Sequence, residues 1–276
     1  MSIVSNSLSH FLRGLEQELL APNLSLNKLE EPTQIFAGLN IYTAFDVELF
    51  RILDVCTRDY FMNEFRAKHI LAPSLIPLSY LMDTGYLKNS LHNLNLVKQF
   101  NKSSLQYKKW ETGEECLCFD HLDSLPHNPT SLGLNTALCH HVYPILKEST
   151  LEVDEVIAIT LSGTCFRDEG KMHNQSYRLL EFRMRECVFF GNHNDIMLIQ
   201  NKLLSFLKSF AFIFDLKSNL VPATDLFFGY RSAEKSDFQR KFASKIEVQV
   251  QTSETEKAIA IASVNRHGSH FSKQYT

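Results

Sequence analysis

CFRDEGKMHNQSYRLLEFRMRECVFFG, residues 165–191, decides how the rest of the chain is read. Two runs of alternating polar and apolar residues flank a polar loop, the pattern of a β-hairpin. Successive side chains on a strand point to opposite faces. Arg167 and Glu169 therefore share a face, and so do Leu180, Phe182, Met184 and Glu186. Phe182 and Glu186 are four residues apart, roughly 13 Å along a strand. An Arg to meet a phosphate, a Glu to meet an amine and an aromatic face for a base would suit a nucleotide lying along the sheet. Alternation alone favours a simpler reading, with Phe182 in a core and the charges in solvent.

The surrounding chain bounds the answer. Its 276 residues suit one large domain, or one domain with a small extension. Hydrophobic residues at 44% and charged residues at 21% make a globular composition, not a disordered one. A net charge of −3 leaves no footprint for broad nucleic-acid binding. The opening MSIVSNSLSHFLRGLEQELL reads as an amphipathic helix through Leu8, Phe11, Leu12, Leu15 and Leu19, not as a secretory leader. No stretch reaches the roughly 18 apolar residues of a membrane span, because SFLKSFAFIFDL is interrupted by Lys208; no membrane is expected. Six cysteines in a chain this long do not form a disulfide framework, so the expected compartment is the reducing cytoplasm.

NIYTAFDVELFRILDVCTRDYFMNEF carries helical periodicity through Phe45, Leu49, Ile52, Leu53 and Phe61. Pro73 and Pro77 then force extended backbone. CLCFD reads as a short strand, and its Cys116 and Cys118 as strand residues. DEVIAITLSGTCFRDE reads as a strand or paired strands, DIMLIQNKLLSFLKSFAFIF as a helix, and KIEVQV and KAIAIASVN as two further strands. Helices and strands intersperse without a βαβ rhythm, which gives an α+β fold.

FRDE, a polar loop and RLLEFRMRE resemble motif 2 of the class II aminoacyl-tRNA synthetases. The chain resembles the seryl-type members and, more narrowly, the amino acid:[carrier protein] ligases, truncated seryl-tRNA synthetase homologues that charge carrier proteins instead of tRNA. LIPLSYLMDTGYLKNSLHNLNLV, ALCHHVYP, DLFFGYR followed by KIEVQV, and SVNRHGSHF are similar to further family segments in the same order. The match runs from about Gly38 to the C-terminus. It implies an antiparallel β-sheet of about six strands flanked by helices. Residues 1–40 would form an N-terminal helix and extension, and 41–276 the catalytic domain, short of its motif 3 end.

The resemblance also implies a chemistry. ATP, with Mg2+, and a small amino acid would form an aminoacyl adenylate, and the acyl group would move to the phosphopantetheine thiol of an acyl or peptidyl carrier protein. Arg167 would hold the α-phosphate and the attacking carboxylate, Glu169 would accept from the adenine amino group, and Phe182 would stack on the adenine ring. Cys139 and Glu186 match two ligands of a zinc ion that receives the substrate amino group. The third ligand and the Arg for the γ-phosphate belong to motif 3, and the sequence stops at HFSKQYT before it. The alternative is therefore a motif-3-less transferase, or a non-catalytic binding module acting on an aminoacyl carrier or with a partner subunit. A Cys–His nucleophile in LCHHVYP is set aside, since catalytic partners usually meet in space and not in sequence. Asp225, Lys245 and Glu247 are candidates for the substrate side, equally readable as surface polar residues, and Ser263 and Asn265 resemble the serine-pocket strand. A basic arm for tRNA is not expected. Lys235, Arg240, Lys241 and Lys245 form a candidate docking patch that reads equally as a solvated face. A homodimer is implied, with residues 70–100 near its interface.

Overall fold

The computed structural model describes residues 33–114, 126–152, 154–168, 178–223, 244–251 and 258–275, together with Arg13, 233–234 and 236–237. The N-terminal helix apart from Arg13, CLCFD with Cys116 and Cys118, Glu169, Asp225, Lys235, Arg240 and Lys241 lie outside the described residues. In chain order the elements are β1 (Thr33–Phe36), β2 (Leu39–Ile41), α1 (Ala44–Phe65), β3 (Lys68–Leu71), β4 (Leu75–Pro77), α2 (Leu78–Asp83), α3 (Tyr86–Ser90), β5 (Leu96–Val97) and α4 (Leu105–Glu111). There follow β6 (Leu132–Leu134), a 3₁₀ turn (Leu138–His141), α5 (Val142–Ile145), β7 (Ile157–Phe166), β8 (Glu181–Phe190), α6 (His193–Ile213), β9 (Ser218–Pro222), β10 (Lys245–Val250), β11 (Ile259–Asn265) and α7 (His270–Tyr275).

The hairpin read from the sequence forms as β7 and β8. They pair antiparallel over ten residues each, from Ile157 opposite Phe190 to Phe166 opposite Glu181. β3 joins the other edge of β7 in parallel. β9, β10 and β11 form a separate antiparallel ladder, and β4, β6 and β5 a third. The expected run of about six antiparallel strands is thus, among the described residues, three three-stranded ladders and the β1–β2 hairpin, with one parallel pair. The long connection between β3 and β7 is what permits that parallel pairing. The β1–β2 hairpin straddles the expected boundary at residue 40, and its Gly38 carbonyl accepts from the backbone N–H groups of Leu180 and Glu181.

Each face of β7–β8 is covered by different elements. α1 starts at a reciprocal cap: the Thr43 hydroxyl accepts from Asp46 N at 3.2 Å, and Asp46 Oδ2 accepts from Thr43 N at 2.8 Å. It ends where Arg66 turns left-handed at φ 53°. Asn192 caps α6 by accepting from Asp195 N. The two helices meet where the Tyr60 and Phe206 rings stack at 4.0 Å. Lys202 and Glu64 pair beside them at 2.8 Å. Together they bury Ala158, with Cys187 and Phe189 packed alongside. Burying a side chain such as Phe206 stabilises the fold by about 1.5–3 kcal/mol.

α6 corrects one sequence reading. It is long and apolar enough, by length and composition, to cross a membrane. Counting unbroken apolar residues missed this, because Lys208 interrupts the run without making the helix polar on average. In this fold α6 packs Phe206 and Ala211 into the core and sets Lys202 on Glu64, while Leu198 and Phe212 are exposed.

The opposite face of the hairpin packs Ile159, Leu161 and Cys165 against Leu138 and Val142. Gly163 permits this approach. A Cβ there would lie 2.9 Å from Leu138 Cδ2, so a larger residue requires the Leu138 side chain to shift.

Candidate functional site

Alternation places Phe182, Met184, Glu186, Val188 and Phe190 of β8 on the face that carries the 3₁₀ turn. Phe182, Met184, Val188 and Phe190 pack there against the Leu138 cluster. Glu186, opposite Leu161 in the ladder, reaches the start of the turn. Its Oε1 accepts from Leu138 N at 3.0 Å and its Oε2 from Cys139 N at 2.8 Å. Two free donors at the start of a helical turn attract a carboxylate, and this contact brings Glu186 to Cys139 across 47 residues of sequence.

Arg167 follows β7. Its guanidinium carbon lies 5.3 Å from the centroid of the Phe182 ring, a cation–π contact. Its Nε donates to the Thr136 carbonyl at 2.9 Å. The backbone on either side is pinned as well: Phe166 N donates to Asn135 O at 2.8 Å, and Asp168 N to Asn93 O at 3.2 Å. Arg167 and Phe182 thus stand at the loop end of the hairpin, and Cys139 and Glu186 further along the same face. Four sequence candidates are brought together.

Burial, reinforced by the Glu186 carboxylate, holds the Cys139 thiol well above the usual thiol range, although the residue as a whole is only half-buried. Burial first, then the neighbouring His141, pushes His140 down to about 3.

Zinc requires more than this pair. A substrate-binding zinc site takes three protein ligands with a fourth position open. Cys139 and Glu186 supply two. Among the described residues no group of three His, Cys, Asp or Glu is arranged to hold a metal. Both Glu186 oxygens already accept backbone N–H groups. The described residues therefore do not fit a zinc centre by themselves. Elemental analysis of the purified protein tests whether it carries zinc. One zinc per chain, lost in Cys139→Ala, would place a third ligand outside the described residues.

The remaining candidates lie on the second ladder. Lys245 faces Asn265 and Glu247 faces Ser263 in the β10–β11 register, so the four residues form one patch. Lys245 pairs with Glu247 at 3.2 Å, and Gln249 donates to Glu247 at 2.9 Å. Ser263 and Asn265 are exposed. Sequence reading missed Thr136, whose contribution is a backbone carbonyl that no residue type announces. It also missed Arg185, which pairs with Asp54 at 2.7 Å on the opposite face of the hairpin.

The fold is that of the class II aminoacyl-tRNA synthetases. It superposes on M. kandleri SerRS, crystallised with A. aeolicus tRNASec, with a TM-score of 0.72 at 22% identity, covering 88% of this chain and 49% of that one. It also matches Giardia lamblia prolyl-tRNA synthetase in complex with prolyl-adenylate, with a TM-score of 0.61 at 14% identity, covering 99% of this chain and 46% of that one. Two groups of curated homologues are similar in sequence. Amino acid--[acyl-carrier-protein] ligase 1 of Bradyrhizobium diazoefficiens is 29% identical over 144 residues, 52% of this chain and 44% of the relative. The type-2 serine--tRNA ligase of Methanocaldococcus jannaschii is 24% identical over 243 residues, 85% of this chain and 46% of the relative. The chain spans about half the length of the curated relatives it matches. No protein-family model matches it.

Proposed function

We propose that this protein activates a small amino acid with ATP and passes it, as an aminoacyl group, to the phosphopantetheine thiol of a carrier protein. The observation that carries the reading is the single hairpin face bearing Arg167 against Phe182 at one end and Cys139 against Glu186 at the other. In this reading Phe182 is the platform for adenine. Arg167, with its Nε held by the Thr136 carbonyl, turns its remaining donors to the α-phosphate and to the attacking carboxylate. Glu169 accepts from the adenine amino group. The Glu186 carboxylate attracts the α-ammonium group, with Cys139 beside it. Asp225, Lys245, Ser263 and Asn265 form the outer part of the amino acid site. ATP enters with Mg2+ on its phosphates. Zinc is left out of the sequence of steps, because the described residues supply only two ligands.

The chemistry is an in-line displacement followed by acyl transfer. A carboxylate oxygen attacks the α-phosphorus and pyrophosphate leaves. The carrier thiol then attacks the adenylate carbonyl, its proton is lost, and AMP leaves. No protein nucleophile is required; Arg167 acts by orientation and by stabilising charge on the transferring phosphoryl group. The relatives named as acyl-carrier-protein ligases support a carrier protein as acceptor in place of tRNA. Exposed Leu71, Met82, Leu91 and Leu96, all within residues 70–100, support a homodimer. The reducing cytoplasm is the compartment proposed for a chain of this length and cysteine content.

The test is aminoacyl loading of a carrier protein, read by intact mass spectrometry with ATP and a panel of small amino acids. A mass gain is expected on the phosphopantetheinylated carrier and none on the same carrier without its arm. Loading from a preformed aminoacyl adenylate, but never from ATP, would make the protein a transferase.

A further inference from the structure

The segment after β11 ties the β9–β11 ladder to the hairpin face. β11 ends at Asn265, and Arg266 N donates to Ser244 O at 2.7 Å. Gly268, left-handed at φ 57°, turns the chain, and α7 begins at His270. α7 lands on α5, the helix that continues the 3₁₀ turn. The Phe271 ring stacks on Tyr143 at 3.7 Å, with 17° between the ring planes. His267 and His270 flank Phe271 edge-on, each at 4.9 Å. His270 Nε2 donates to the Thr84 carbonyl at 3.2 Å, which ties the same segment to the end of α2. Tyr143 is buried and also meets His140 and Phe190 edge-on, at 6.5 and 6.1 Å. One aromatic row thus runs from the second ladder, through Phe271 and Tyr143, to β8 and to the turn whose Leu138 and Cys139 N–H groups hold Glu186.

We propose that Phe271 is a positioning residue for the amino acid: stacked on Tyr143, it seats the 3₁₀ turn and so keeps Glu186 and Cys139 in place relative to Ser263 and Asn265 of β11. The idea rests on the proposed amino acid site, and Phe271 acts through Tyr143. Aromatic pairs contribute beyond the area they bury, so losing the ring loosens the turn while the strand ladders keep their backbone hydrogen bonds. The nucleotide half is anchored differently. Phe182 is in register with Cys165 in the β7–β8 ladder, and Arg167 donates to the Thr136 carbonyl.

Two measurements on the full chain with Phe271→Ala test this: deuterium uptake by backbone amides, and KM values in ATP–pyrophosphate exchange. Amides of residues 138–146 are expected to take up deuterium about tenfold faster, while those of β7 stay within about twofold of wild type. KM for the amino acid is expected to rise about tenfold, and KM for ATP to stay within about twofold. Phe271→Leu, which keeps an apolar side chain without the ring, is expected to give the same split at a smaller size and serves if Phe271→Ala does not fold. Unchanged deuterium uptake in residues 138–146 of the folded variants overturns the inference, and so does an equal rise in both KM values, which marks a merely structural role. Wild-type protein without amino-acid-dependent pyrophosphate exchange overturns the amino acid reading, and this role with it. The two failures are distinct, because the first is read from the variants and the second from wild type alone.

Discussion

Arg167→Ala is expected to lower amino-acid-dependent ATP–pyrophosphate exchange by roughly 10²–10³-fold, the effect of removing one donor aimed at developing charge in a preorganised site. The fold should survive. The change removes one hydrogen bond to the Thr136 carbonyl and one cation–π contact with Phe182, together about 1–2 kcal/mol. Arg167→Lys is expected to recover little. Its single ammonium has no planar fork with which to keep the Thr136 contact and still meet a phosphate and a carboxylate. Exchange within about fivefold of wild type in a folded Arg167→Ala protein would remove Arg167 from the chemistry.

The second large effect is on stability. Asp54→Ala is expected to destabilise the protein by about 2–3 kcal/mol in urea unfolding. Arg185 Nε and Nη2 donate to the two Asp54 oxygens at 2.7 and 2.8 Å, and Nη1 donates to the Thr160 hydroxyl at 3.0 Å. Thr160 in turn donates to the Glu186 carbonyl. Removing Asp54 leaves a guanidinium that is 7% exposed with one hydroxyl partner. The loss falls below the full penalty for a broken buried pair because Asp54 is 38% exposed, so water replaces part of it. Replacing both residues, Asp54→Ala with Arg185→Met, is expected to cost less than the sum of the single changes. A loss under about 1 kcal/mol for Asp54→Ala would mean that the pair is solvated.

Arg185 also shows what the sequence hid. Strand alternation places it on the face away from Phe182 and Glu186, and the simplest reading sends such a charge to solvent. The structure covers it with α1, whose Asp54 lies 131 residues away in sequence. Periodicity says which face a residue occupies, not what lies on that face. The long helices were legible for the same reason: Phe45, Leu49, Ile52 and Leu53 recur at helical spacing. Ladder partners were less legible, since the pairing of β3 with β7 joins distant segments that carry no local signal. Phe182 and Glu186 could be placed on one face from alternation, but Arg167 joined them only through the ladder register, and Cys139 reached Glu186 only through backbone N–H groups of a 3₁₀ turn. Donors of that kind belong to every residue and stand out in none.

The most direct measurement is ATP–pyrophosphate exchange by purified, folded protein against a panel of small amino acids. The account predicts exchange that requires one or a few of these amino acids and that collapses in Arg167→Ala. No exchange with any amino acid, from protein shown to be folded, would contradict adenylation by this chain.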